Sequence, residues 1–336
     1  MGYDYLLAMR LRFAGAALVS VCAGCAQEVH SVGNIFKPLA TPAEAVYHLS
    51  ILTLAICGVI FAVVAGLIAY AIIRFRDRGG NEGAEPAQVY GSNQIEIAWT
   101  VIPILIVFVL VMSTARVTSA IQDHRAPPDA LRVTVIGHQW WWEFRYPELN
   151  VVTANELHVP VSKVTLLRLE SADVAHSFWV PQLSGKTDLI PNRINNMWID
   201  PREPGIYLGN CAEYCGTQHA NMLLRVVAES PEDFAKWIAQ QKLRAASSAQ
   251  AEIFLSLSCI NCHTVSGTAA AGKFGPDLTH LMSRKTLASG AIPNDPEHLR
   301  KWIKDPQEIK PGNMMPDMQL SEKELDQVVA YLSSLQ

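Results

Sequence analysis

Two groups of residues in this chain have the types and spacing of metal or cofactor chemistry. The segment Cys211-Ala-Glu213-Tyr-Cys215-Gly-Thr-Gln-His219-Ala-Asn-Met222 brings together two thiols, an imidazole and a thioether, and His176 lies 35 residues upstream. Thiolate, imidazole and thioether suit copper, and two cysteines with two histidines are enough to hold two copper ions on shared thiolates. The same residues admit one structural zinc with Met222 left to packing, or a Cys211–Cys215 disulfide in an oxidising compartment. Zinc has no use for Met222, and a disulfide leaves both histidines unexplained. The second group is Cys259-Ile-Asn-Cys262-His263, the attachment motif of a c-type haem: two thiols form thioethers and the adjacent histidine ligates iron. Cys-x-x-Cys in isolation also fits a redox pair or half a zinc site; export and the immediate His263 favour haem. A distant methionine should be the sixth ligand. Pro311-Gly312-Asn313-Met314-Met315-Pro316 supplies two candidates, and Met318 is a third.

The rest of the chain must position these groups. Its 336 residues suggest two or three folded units. Only 17% are charged, against about 25% in an average soluble chain. The net charge of −4 leaves no basic footprint for nucleic acid, and seven cysteines are too sparse for a disulfide scaffold. Residues 1–25 read as a signal peptide, with a short apolar run behind Arg10 and Arg12. It ends in Ala23-Gly24-Cys25, which resembles a bacterial lipoprotein cleavage box and makes Cys25 a candidate for lipidation. Cys22 stands where that box usually has leucine, and ordinary cleavage nearby is the alternative.

Within a hairpin over 45–118, residues 49–73 and 97–115 carry no formal charge. At about 1.5 Å per residue, both can cross a hydrocarbon core about 30 Å thick. Arg74, Arg76 and Arg78 follow the first run, which by the positive-inside rule puts the connection in the cytoplasm. Everything after about Arg116 then lies outside, the orientation that a signal peptide also requires. Glu96 begins the second span, where an acid is ordinarily a solvated boundary.

Past Pro127-Pro128 the pattern turns strand-like, and residues 129–228 fit a β-sandwich or barrel. Trp140, Trp141 and Trp142 in one strand would alternate faces, so at least one indole should point away from the core and need a covering partner. Ser230-Pro231-Glu232-Asp233 begins a helix well. Residues 229–250 therefore read as a helix running towards Arg244 and a short linker, and 251–336 as a further domain.

Residues 45–228 resemble subunit II of the haem-copper cytochrome c oxidases. The resemblance is carried by the two spans, Gly137-His-Gln-Trp-Trp-Trp142, His176-Ser-Phe-Trp179, Lys186-Thr-Asp188, Pro191-Asn-Arg193 and the 211–222 loop. Residues 250–336 resemble class I cytochromes c, and the whole chain resembles the caa-type subunit II that carries its own cytochrome. The resemblance implies a multidomain membrane protein: a two-helix transmembrane hairpin, an all-β cupredoxin-like sandwich and an all-α class I cytochrome c domain.

It further implies a dinuclear CuA centre bridged by Cys211 and Cys215, with His176 and His219 as terminal ligands. Met222 would ligate one copper and the carbonyl of Glu213 the other, and the Glu213 carboxylate would help bind a magnesium ion shared with subunit I. Trp140 matches the residue that receives the incoming electron, and Glu96 matches an acid at the entrance of a proton pathway into subunit I. In the cytochrome, Cys259 and Cys262 would bind haem c covalently, with His263 and Met315 axial, because the family's ligand ends Pro-Gly-x-x-Met. The Pro276 carbonyl would hold the other ring nitrogen of His263, and residues 321–335 match the family's last helix.

Implied partners are oxidase subunit I, subunit III, and an external donor such as a c-type cytochrome or quinol:cytochrome c reductase. The implied location is the bacterial plasma membrane, with both outer domains on the periplasmic face. Electrons would run from haem to copper to subunit I, where oxygen is reduced and protons are pumped; the chain should be silent without subunit I. A CuA-bearing nitric oxide reductase subunit is one alternative, and a membrane-anchored copper-delivery protein, which needs no haem, is another. Residues 129–228 and 251–336 each carry a net charge of −2. Two acidic domains do not steer one another into contact, so a tether at millimolar effective concentration should replace steering.

Overall fold

A computed structural model describes residues 29–30, 34–76, 88, 90–122, 127–245 and 251–336. The signal-peptide segment with Cys25, and residues 246–250 of the expected linker, lie outside the described residues. After a two-residue strand, β1 (Val29–His30), come two long apolar helices, α1 (Thr41–Arg74) and α2 (Asn93–Gln122). Both are long and apolar enough to cross a membrane, and their apolar windows are not buried within the chain. They exceed the uncharged runs at both ends, because helical hydrogen bonding continues into the polar boundary residues.

Among the described residues, the hairpin is fastened to the next domain at the end where α1 begins and α2 finishes. Thr41 donates to Asp200 through its backbone N and its Oγ1, at 2.8 and 2.6 Å, and Trp198 Nε1 donates to the Ile121 carbonyl at 2.9 Å. Arg74 and Arg76 therefore sit at the far end of the hairpin from the sandwich, as the charge pattern requires.

The sandwich is built from β2 (Leu131–His138), β3 (Trp141–Tyr146), β4 (Val151–Ala154), β5 (Glu156–Pro160), β6 (Thr165–Ser171), β7 (His176–Trp179), β8 (Thr187–Leu189), β9 (Asn195–Ile199), β10 (Gly205–Cys211) and β11 (Leu223–Glu229). One sheet runs β4-β3-β2-β6-β9; the other runs β5-β11-β10-β7-β8, with β1 added to β10. The two inner faces close on Trp142, Phe144, Tyr146, Leu157, Leu167, Leu169 and Phe178, the alternate residues of their strands. The tryptophan run departs from expectation. Gln139 and Trp140 form the turn between β2 and β3, so only Trp141 and Trp142 alternate within a strand.

Helix α3 (Pro231–Gln241) begins as the sequence predicts: the Ser230 side chain accepts from the Asp233 N–H at 3.1 Å. It ends at Gln241, short of Arg244, and packs on the sandwich by stacking Trp237 on His158 with centroids 4.1 Å apart. The last domain contains α4 (Ala251–Ser256), α5 (Pro296–Lys304), α6 (Pro306–Ile309) and α7 (Glu322–Ser333). They enclose a second core around Phe254, Leu299, Ile303, Leu325 and Tyr331.

Candidate functional site

The first cluster lies at one end of the sandwich, where β7 begins and β10 ends. His176 opens β7 and Cys211 closes β10; the loop after β10 returns Cys215, His219 and Met222 to the same spot. The two Sγ atoms stand 3.8 Å apart with no S–S bond. His176 Nδ1 is 3.9 Å from Cys211 Sγ, and the Glu213 carbonyl oxygen is 3.2 Å from the same sulfur. On the other side, His219 Nδ1 is 3.6 Å and Met222 Sδ 3.8 Å from Cys215 Sγ. Two sulfurs at the centre thus carry one imidazole each, with a thioether on one side and a carbonyl on the other. His176, Cys211 and Cys215 form a compact buried set in which every ligand atom lies within 4.8 Å of the others; His219 is not part of it. A single tetrahedral zinc would draw all four donors into one such set. The sulfur-rich donors, split over two sides, fit copper.

The electrostatics couple these donors to one another. The Cys211 thiol is pulled down to about 3, chiefly by the hydrogen bond it shares with Cys215, while the same partnership pushes the Cys215 thiol up. His176 is fully buried, which opposes its protonation, but hydrogen bonds to Asp173 and Cys211 outweigh burial and shift it upward. Asp173, which the sequence reading did not single out, lies 2.8 Å from His176 Nε2. It takes one ring nitrogen and leaves Nδ1 for a metal, the usual work of an outer partner. Asp173 also accepts from the Gln139 N–H at 2.7 Å, which ties the ligand to the Trp140 turn. Gly137 in β2 makes this possible, because a Cβ there would stand 2.7 Å from His176 Cδ2.

The second cluster surrounds a cavity of about 310 Å³ lined by Cys259, Cys262, His263, Met314, Met315 and Met318, with apolar walls from Leu278, Leu281, Leu299 and Ile303. His263 Nδ1 lies 2.8 Å from the Pro276 carbonyl, which leaves the other ring nitrogen for a ligand. Burial holds His263 below the usual imidazole pKa, which favours the uncharged form that ligates metals. A Cβ on Gly275 would come within 2.6 Å of its ring. Met315 is fixed through its backbone, its N–H donating to Asn313 Oδ1 at 2.7 Å and its carbonyl accepting from Gln307 Nε2 at 2.9 Å. Met314 is half exposed. Two free thiols, a buried histidine with one ring nitrogen left over, a methionine and an apolar lining fit a covalently held haem.

The haem cavity reaches the copper domain. Gln139, Trp140 and Trp141 form part of its wall. Trp140 Nε1 donates to the Cys215 carbonyl at 2.9 Å, and the residue is only 7% exposed. Trp140 belongs to the sandwich's own buried cluster and lies where that cluster borders the C-terminal domain. The remaining predicted residues lie apart. Glu96 is exposed in the first turn of α2, and the half-exposed Glu213 carboxylate sits 3.7 Å from Lys186 Nζ.

A membrane hairpin, a cupredoxin-like sandwich with a copper-type donor set and a cytochrome c domain together define a membrane-anchored electron carrier. The family description "Cytochrome C oxidase subunit II, transmembrane domain" matches residues 30–117, its "periplasmic domain" counterpart matches 150–230, and "Cytochrome c" matches 248–336. The cytochrome c oxidase subunit 2 of Alkalihalophilus pseudofirmus is 33% identical over 309 residues, covering 89% of each chain. That of Bacillus subtilis is 33% identical over 327 residues, covering 90% of this chain and 91% of the relative. The crystal structure of the periplasmic domain of subunit II from Bradyrhizobium japonicum is 31% identical, covers 35% of this chain and 96% of that one, and superposes with a TM-score of 0.34. The chain belongs to the cytochrome c oxidase subunit II family, in the form that carries a C-terminal cytochrome c domain, and its role is electron transfer within that oxidase.

Proposed function

We propose that this subunit delivers electrons from its own haem domain, through Trp140, to a dinuclear copper centre, and onward to subunit I. Cys211 and Cys215 would bridge the two coppers, with His176 and His219 terminal, Met222 on one metal and the Glu213 carbonyl on the other. Cys259, Cys262, His263 and Met315 would hold the haem. Bound in these places, each cofactor supplies reversible one-electron chemistry with little change of geometry, which serves a relay and is of no use to hydrolysis.

The chain's own residues do the rest. Asp173 orients His176, the Pro276 carbonyl orients His263, and Trp140 closes the gap between the two sites. The observation that carries the reading is Trp140 itself: the residue lines the haem cavity, and its indole donates to the carbonyl of Cys215. Subunit III, a c-type cytochrome or quinol:cytochrome c reductase as external donor, a magnesium ion on the Glu213 carboxylate and a proton-path role for Glu96 complete the assignment. So does a place in the bacterial plasma membrane with both outer domains on the periplasmic face.

Trp140→Phe keeps an aromatic ring and removes the Nε1 donor. In the assembled oxidase it should slow haem-to-copper transfer while the paramagnetic resonance signal of one electron shared over two coppers persists. Unaltered transfer would return Trp140 to ordinary packing, and a signal from one isolated copper would overturn the dinuclear assignment.

A further inference from the structure

Lys310 precedes Pro311-Gly312 on the loop that carries Met315, and only 3% of it is exposed. Its Nζ donates to three main-chain carbonyls: Trp140 at 2.8 Å, Asn221 at 2.9 Å and Ala288 at 3.2 Å. An ammonium has three N–H groups, and three carbonyls satisfy all of them. Two of the three belong to the copper domain. The Trp140 carbonyl belongs to the residue whose indole donates to Cys215, and Asn221 adjoins Met222. On the cytochrome side, Lys310 sits in a tightly bonded unit. Gln307 Nε2 donates to the carbonyls of Asn313 and Met315, and the Gly312 N–H donates back to Gln307 Oε1 at 2.8 Å. Gln218 adds a second tie by donating to the Pro311 carbonyl. Whatever holds Lys310 therefore holds Met315.

Burying this charge is costly, and burial pulls the ammonium down to about 7. An apolar residue would pack the same space at lower cost, but it would not fix the register of two surfaces, which is the best-attested use of a buried charge. We propose that Lys310 is the positioning residue that sets the haem domain against Trp140, by holding the Met315 loop to the carbonyls of Trp140 and Asn221. The inference rests on the relay reading above and adds to it the element that fixes the distance.

The test uses the assembled oxidase with its haem reduced by a light-activated donor. Lys310→Met should slow haem-to-copper transfer by about tenfold, since small misplacements of reacting partners are expensive. The rate should also become dependent on solvent viscosity, because domain motion then gates transfer. Haem and copper spectra and potentials should stay as they are, and amide exchange over residues 139–142 and 285–290 should rise. Lys310→Gln, which keeps two N–H donors, should fall between the two and serves if the methionine variant fails to mature. Unchanged rate and exchange in variants with intact spectra would overturn the proposal. So would a slowed, viscosity-independent rate with a shifted haem potential. If haem and copper in the unsubstituted oxidase exchange no electron, the relay reading fails, while the exchange measurement still reports on Lys310.

Discussion

The choice between neighbouring methionines shows how far single residues determine the chemistry. Met314, Met315 and Met318 all line the haem cavity, so proximity does not choose among them. What supports Met315, the proposed ligand, is that it is pinned at both its N–H and its carbonyl, whereas Met314 is half exposed. A thioether on iron raises the haem potential. Met315→Ala should therefore lower the potential by a sizeable part of the about 0.8 V that axial ligands command, and Met314→Ala should leave it in place. Redox titration of the two variants decides, and the reverse outcome would move the ligand by one residue. The candidate residues with distinctive chemistry stood out in the sequence, because cysteine, histidine and methionine at these spacings are uncommon, and the structure brings Cys211, Cys215, His176, His219 and Met222 together. Asp173, Glu156 and Lys310 did not stand out. Acids and lysines are common on any surface, and only the tertiary fold puts Asp173 against His176, or buries Glu156 against the backbone N–H groups of Lys285 and Thr286.

At the level of elements, the copper-type site depends on how closely the two sheets approach. Gly137 lies in β2 of one sheet and His176 opens β7 of the other, and the imidazole occupies the space a side chain would fill. A glycine inside a strand is weak in itself and marks such an approach. Gly137→Ala should displace the imidazole or the strand, at a cost of about 1–3 kcal/mol for overpacking. Copper content of the purified protein should drop while the haem spectrum stays intact, because the haem is held by a separate core. Full copper loading with an unaltered spectrum would show that β2 can yield. The strands and the capped start of α3 were readable from alternation and from Ser230-Pro231. The placement of Trp140 was not. A run of three tryptophans has the composition of a strand, and the turn at Gln139 and Trp140 is set by contacts distant in sequence, including the bond from Gln139 N–H to Asp173.

For the molecule as a whole, affinity and orientation have different sources. The two outer domains are both mildly acidic, so long-range attraction does not bring them together. Their contact is instead a set of exchanged polar groups. Glu156 of the sandwich accepts from Lys285 N–H, Thr286 N–H and Thr286 Oγ1, and Arg225 donates to Thr286 Oγ1. In the other direction, Ser289 Oγ donates to the Leu223 carbonyl and Lys310 Nζ to Trp140 and Asn221. Buried charges satisfied by backbone set a unique arrangement but add little net affinity, which leaves the covalent connection to supply it. A linker of this length keeps the partners at about millimolar effective concentration. A protease site inserted within residues 246–250 tests the division. In the uncut oxidase, haem-to-copper transfer should not vary with protein concentration, and it should vary little with salt because the contacts are short and buried rather than screened. After cleavage, transfer should persist in concentrated samples and disappear on dilution to about nanomolar, far below the effective concentration the tether provided. Cut protein that still transfers at full rate when dilute would show that the interface binds by itself, and that the fusion serves some end other than holding the haem at Trp140.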